Sequence, residues 1–251
     1  GQNGDHPGLL EALSAALWRS GQQEQAMDAF DRRLRLAPGE ALLHVRLAEM
    51  KASVGDVGGV AASLRKAVEL DPKSSANWAG VVSRMLDPER RSAARQLALK
   101  LQQDAPRSPL GAIIEGDVFA AEGQWPKAAA SYRKSLSVQR SATGIARLHR
   151  ALLRSDRGAE AEVLLRDTIR AMPRDLGLRL YAGENAVRSK QWRAAADHYD
   201  VAVALAPSNV VALNNLAWAL HEIGDPRAAT VAEEAYERAP DSASVIDTLG
   251  V

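Results

Sequence analysis

Five histidines and a scatter of carboxylates are the residues of this 251-residue chain that could do acid–base or metal chemistry. His6, His44, His149, His198 and His221 show no ligand spacing: no two stand four apart, and no H-E-x-x-H run occurs. Glu160 and Glu162 lie two apart on a helical pattern, where side chains diverge, so they read as solvated surface rather than an acid–base pair. No G-x-S-x-G, P-loop or dinucleotide fingerprint appears. The expectation is a segment with no catalytic residue, no cofactor, no metal and no enzymatic activity. The side chains that suit recognition are more informative. Residues 214 to 225 read N-N-L-A-W-A-L-H-E-I-G-D, and Asn costs up to about 0.7 kcal/mol per helical position relative to Ala, so Asn214 and Asn215 serve something other than helix formation. Arg147, Arg150 and Arg154, spaced i, i+3 and i+7, form a basic stripe on one helical face.

The elements that position these groups follow from a repeat. Pro38, Pro72, Pro106, Pro173, Pro207 and Pro240, with Arg140 in the one gap, recur at intervals of 34, 34, 34, 33, 34 and 33. Ala26, Val60, Ala94, Ala128, Ala161, Ala195 and Ala228 keep the same intervals. Between landmarks each repeat reads as two helices. In residues 41–74, Leu47, Met50 and Val54 space one apolar face, V-G-D-V-G-G breaks it, and Val60, Leu64, Ala67 and Val68 space the next. Pro72 then stops the second helix, because it lacks the N–H and clashes with the preceding turn. His149 falls where other repeats place a small residue, which predicts a packed histidine rather than a ligand.

A 34-residue helix-turn-helix with a small residue at place 8, Gly near 15, Ala at 20, an aromatic or Leu at 24 and Pro at 32 resembles the tetratricopeptide repeat (TPR). The resemblance implies an all-α solenoid wound as a right-handed superhelix, with repeats at 7–40, 41–74, 75–108, 109–141, 142–175, 176–209 and 210–242 and a partial eighth at 243–251. Three departures stand out: D-P-E-R-R-S replaces the glycine turn of the third repeat, Arg140 replaces the proline of the fourth, and the seventh is one residue short. In this family places 2, 5, 6, 9, 12 and 13 of the first helix face a concave groove. The resemblance therefore turns Arg147, Arg154, Tyr181, Asn214, Asn215 and Trp218 inward as a partner-binding surface. Asn214 and Asn215 either meet a ligand's backbone or tie neighbouring helices. Arg150 reads as completing an internal row with Asp117 and Glu184. Trp125 and Trp192, at place 17, read as packing between helices, while Trp18 at place 12 faces the groove.

Composition narrows the partners. Thirty-two Lys and Arg against 31 Asp and Glu leave a net charge of +1, with no global pull towards nucleic acid. Hydrophobic residues form 46% of the chain and aromatics 4%, a helical composition with small contact residues. Cysteine is absent, which removes disulfides and thiolate metal sites, and no apolar stretch approaches the roughly 18 residues that cross a bilayer. The chain opens G-Q-N-G-D-H-P-G without Met and ends inside an eighth repeat, and so reads as a fragment of a longer protein. Residues 210–250, with N-N-L-A-W, G-D-P-R-A, A-P-D-S and D-T-L-G, resemble the C-terminal repeats of the TPR lipoproteins of the PEP-CTERM sorting system, the PrsT family. That resemblance implies a bacterial periplasmic or outer-membrane-anchored scaffold in exopolysaccharide production or protein sorting, holding a protein or peptide in its groove; amides and aromatics also suit a carbohydrate. The alternatives are a docking arm of a larger enzyme, or a cytoplasmic co-chaperone-like adaptor, the latter weakened by the lack of the Lys-Asn pairing of carboxylate-clamp repeats.

Overall fold

The computed structural model describes residues 6–71 and 75–250, without the side chains of 75–77. Pro72, expected to stop a helix, and Val251 lie outside the described residues. Fifteen helices and no strand occur among the described residues. They divide into two compact units, Gly1–Gln139 and Arg140–Val251, parted at the one repeat junction that lacks its proline. The first unit contains α1 (Pro7–Arg19), α2 (Gln23–Leu36), α3 (Ala41–Ser53), α4 (Val57–Leu70), α5 (Ser75–Met85), α6 (Arg91–Asp104), α7 (Leu110–Ala121) and α8 (Trp125–Val138). The second contains α9 (Ala142–Leu153), α10 (Gly158–Ala171), α11 (Leu176–Arg188), α12 (Trp192–Leu205), α13 (Val210–Glu222), α14 (Arg227–Arg238) and α15 (Ala243–Leu249).

Local chemistry sets the helix ends. Gly21, Gly55, Gly123 and Gly224 adopt φ of +80°, +79°, +72° and +70°, and one residue later the chain closes back onto the helix it has left: Gln22, Asp56, Gln124 and Asp225 donate their N–H to the carbonyls five residues earlier. This is the left-handed helix stop that glycine accommodates without a Cβ clash. The fifth and sixth repeats make the same turn on side chains that resist it, Asp156 at φ +56° and Lys190 at +55°. Second helices end where the residue before proline is pushed out of the α region: Ala37, Ala105, Met172, Ala206 and Ala239 all sit at φ between −130° and −147°. Side-chain caps start several first helices, with Ser141, Asp175 and Asn209 accepting from Gly144, Leu178 and Ala212 at 3.1, 2.9 and 3.0 Å. Each such cap contributes about 1 kcal/mol.

Packing explains the small residues. Ala26, Val60, Ala94, Ala128, Ala161 and Ala195 are all 0% exposed, since each lies where its helix crosses a neighbour and no longer side chain fits. Glycine goes further at two places. A Cβ on Gly116 would lie 2.4 Å from the Tyr132 ring, and one on Gly183 would lie 2.5 Å from the Tyr199 ring, so a bare backbone on the first helix receives an aromatic from the second. The third repeat, without its glycine turn, has a shorter first helix; Leu86 follows it half-buried and accepts from Arg91 Nε at 3.1 Å. In the first unit one apolar cluster runs from Val45 to Val118 through α3–α7. In the second, smaller clusters join α9, α10 and α11, then α11–α14, then α13, α14 and α15.

Candidate functional site

In the second unit a cavity of about 480 Å³ opens between α11, α13 and α15, with Tyr199 of α12 contributing to its lining. Asn214, Asn215 and Trp218 all line it, because residues i, i+1 and i+4 share one helical face. Trp218 keeps 39% of its surface exposed, so the indole offers an apolar face to whatever enters the cavity. The two amides have different fates. Asn215 lies near enough to the Tyr199 phenol to oppose the rise of its pKa, whereas Asn214 Oδ1 is buried with no hydrogen-bond partner among the described residues. Burial is the main influence on Tyr199, pushing its phenol up to about 12, so the hydroxyl stays protonated and neutral at the cavity wall.

The other inward candidates are not gathered there. Arg147, half-buried on α9, and Arg154, exposed at the C-cap of α9, do not line the cavity. Tyr181 is 7% exposed and belongs to the core, a correction to its expected place on the groove surface. The reason is His149, itself 0% exposed, at the place where other repeats are small. Its Nδ1 lies 2.8 Å from the Tyr181 hydroxyl, the rings meet edge-on at 5.5 Å between centroids, and the hydroxyl donates to the Ala146 carbonyl at 3.2 Å. With the phenol proton so used, Nδ1–H donates and Nε2 is left as an unpaired acceptor; the other tautomer would strand a buried N–H, which proteins tolerate less. Burial, reinforced by the nearby Arg150 and Arg188 charges, lowers the His149 pKa to about 4.

Arg150 does not complete the expected row. Glu184 is taken by Arg188 one turn along its own helix, at 3.3 Å, and Arg150 is exposed with no ion pair among the described residues. Pairing at i, i+4 wins because it holds two side chains already on one face. Trp125 and Trp192 open α8 and α12, half-buried, and Trp18 lines a separate cavity of about 510 Å³ in the first unit. That cavity is floored by Phe30 and Met50, and its charges are mutually satisfied: Arg46 lies 3.7 Å from Glu11, and Arg84 pairs with Glu49. Among the described residues no cluster of side chains could hold a metal, and no helix is long and apolar enough to cross a membrane.

Sequence reasoning missed Tyr199, Arg188 and Asp247 as cavity residues. Arg188 and Asp247 fall at places 13 and 5, so register alone could have found them; Tyr199 at place 24 reads as core, and nothing in its position signals that it also lines the cavity.

Residues 198–230 match the tetratricopeptide repeat family. No curated protein sequence matches the chain. Among solved structures, yeast Tom70 is similar with a TM-score of 0.61 at 18% identity, over 90% of this chain and 50% of that one, so this chain spans about half of its length. YrrB, described as a TPR protein with an unusual peptide-binding site, gives a TM-score of 0.46 at 14% identity over 90% and 100% of the two chains. PilW, a type IV pilus biogenesis factor, gives 0.48 at 12% identity over 97% and 98%. The fold is thus a solenoid of TPR-type helix pairs.

Proposed function

We propose that the chain is an interaction scaffold whose second unit receives an extended segment of a protein partner between α11, α13 and α15. One observation carries this reading: the cavity sets a buried, unpaired Asn214 carbonyl beside an exposed Trp218. An unpaired amide oxygen in a half-buried place costs about 1–3 kcal/mol, and small rotation of Asn214 lets a backbone N–H satisfy it. The indole supplies the flat apolar surface on which a partner's side chain rests. The N-N-L-A-W and D-T-L-G run of residues 210–250 supports placing that partner in the bacterial envelope, in exopolysaccharide production or protein sorting.

Selection of a random displayed peptide library on the protein tests the groove. Peptides enriched on the native chain should lose roughly 30-fold in affinity on a Trp218→Ala variant, as an aromatic anchor worth about 2 kcal/mol requires. Unchanged affinity on both Trp218→Ala and Asn214→Ala would place the recognition surface elsewhere, and enrichment of no peptide alongside binding of an oligosaccharide array would replace the peptide by a sugar.

A further inference from the structure

Along the groove of the second unit the unpaired charges are sorted by sign. At one end stands Arg150 of α9, exposed and outside any ion pair among the described residues. In the middle Glu184 and Arg188 of α11 neutralise each other at 3.3 Å. At the far end, Asp247 of α15 lines the cavity, exposed, with no side-chain hydrogen bond or ion pair among the described residues. Glu222, one helical turn beyond Trp218 on the same face of α13, is likewise exposed and unpaired among the described residues. Arg150 holds the same repeat place, the ninth, on α9 as Glu184 on α11 and Trp218 on α13, so the three leave corresponding faces of successive first helices. The first-unit cavity is different in kind: its two arginines and two glutamates are paired with one another.

We propose that the second-unit groove is polarised, and that it selects a peptide bearing an acidic residue at the α9 end, an apolar residue over Trp218 and a basic residue at the α15 end. This deepens the docking reading above and rests on it. An exposed charge without a partner is well solvated, so each pole attracts a complementary side chain at little desolvation cost and repels a like one. The spacing follows from helix packing. Three steps between neighbouring first helices, at about 9 Å each, separate the poles by roughly 27 Å, which is about eight residues of extended chain. Selectivity thus lies in the order of charges along the ligand, while Trp218 and the Asn214 amide supply contacts that any sequence can use. The groove's poles are opposite, so a uniformly acidic or basic segment gains at one end what it loses at the other.

Three fluorescent, end-capped peptides with the same Leu/Val/Ser centre test this by anisotropy on the whole chain: one with two glutamates at one end and two lysines at the other, one with glutamates at both ends, and one with lysines at both. The mixed peptide should bind native protein tightest, by roughly three- to ten-fold at low salt, and the differences should collapse in high salt. Arg150→Glu should weaken the mixed and all-acidic peptides and strengthen the all-basic one. Asp247→Lys combined with Glu222→Lys should weaken the mixed and all-basic peptides and strengthen the all-acidic one. If all three peptides bind native protein alike and neither reversal discriminates, yet Trp218→Ala abolishes binding, docking stands and polarity is refuted. If no peptide binds, or Trp218→Ala changes nothing, both fall together.

Discussion

Acidification should loosen the second unit through one residue, His149. The ring is 0% exposed, its pKa is lowered to about 4, and its only hydrogen-bond partner among the described residues is the Tyr181 hydroxyl. In the unfolded chain it titrates near 6.5. Between those values the unfolded state binds a proton that the folded state refuses, so stability is full above pH 6.5 and is lost as pH falls towards 4. A separation of about 2.5 pH units sets a ceiling of roughly 3 kcal/mol, of which about 2 kcal/mol falls between pH 7 and pH 5. The helices that hold the ring, α9 and α11, should register it most directly, since helix-pair repeats open locally rather than all at once. Amide hydrogen exchange, corrected for intrinsic rates, is the assay. Protection in α9 and α11 should fall roughly 30-fold from pH 7 to pH 5 beyond any fall seen in His149→Gln, which keeps a polar partner for Tyr181 without titrating. His198, whose pKa is also lowered mainly by burial, then by Arg179, is present in both proteins and cancels. A difference between the two proteins of less than two-fold would refute the assignment of a buried neutral imidazole.

Further outcomes follow from the same geometry. Gly183→Ala gains about 1 kcal/mol of helix propensity but sets a Cβ 2.5 Å from the Tyr199 ring, so it should lower the thermal midpoint, and adding Tyr199→Leu should recover it, as Leu64 fits over Ala48 in the second repeat. Lys190→Gly should raise the midpoint by relieving a left-handed side chain, a gain of up to about 1 kcal/mol; Asp156→Gly should gain less, because Asp tolerates that conformation better. Asn214→Ala should stabilise the free protein in urea titration, by roughly 1 kcal/mol, through removal of an unpaired buried carbonyl and better helix propensity, while weakening peptide capture. A variant that loses stability and leaves capture intact would assign Asn214 to packing.

The helix pairs were legible in the sequence because their determinants are local. Proline removes a donor and displaces the residue before it, glycine accepts a positive φ, and a small residue every 33 or 34 positions marks each helix crossing. These act within a few residues of where they stand, and they recur, so Ala26 and Ala195 announce the same burial from opposite ends of the chain. Even the left-handed turns at Asp156 and Lys190 follow from register once the four glycines are aligned. The site was legible only as a face. Tyr181 and Asn215 share place 6, yet one is sealed in the core by a histidine 32 residues earlier and the other lines a cavity with Tyr199. Glu184 pairs with Arg188 rather than Arg150, and Asn214 Oδ1 meets no hydrogen-bond partner among the described residues. Helical periodicity states which way a side chain leaves the helix; what it meets there depends on the length and polarity of residues on the neighbouring helix. That is a property of two packed surfaces, and only the tertiary structure decided it.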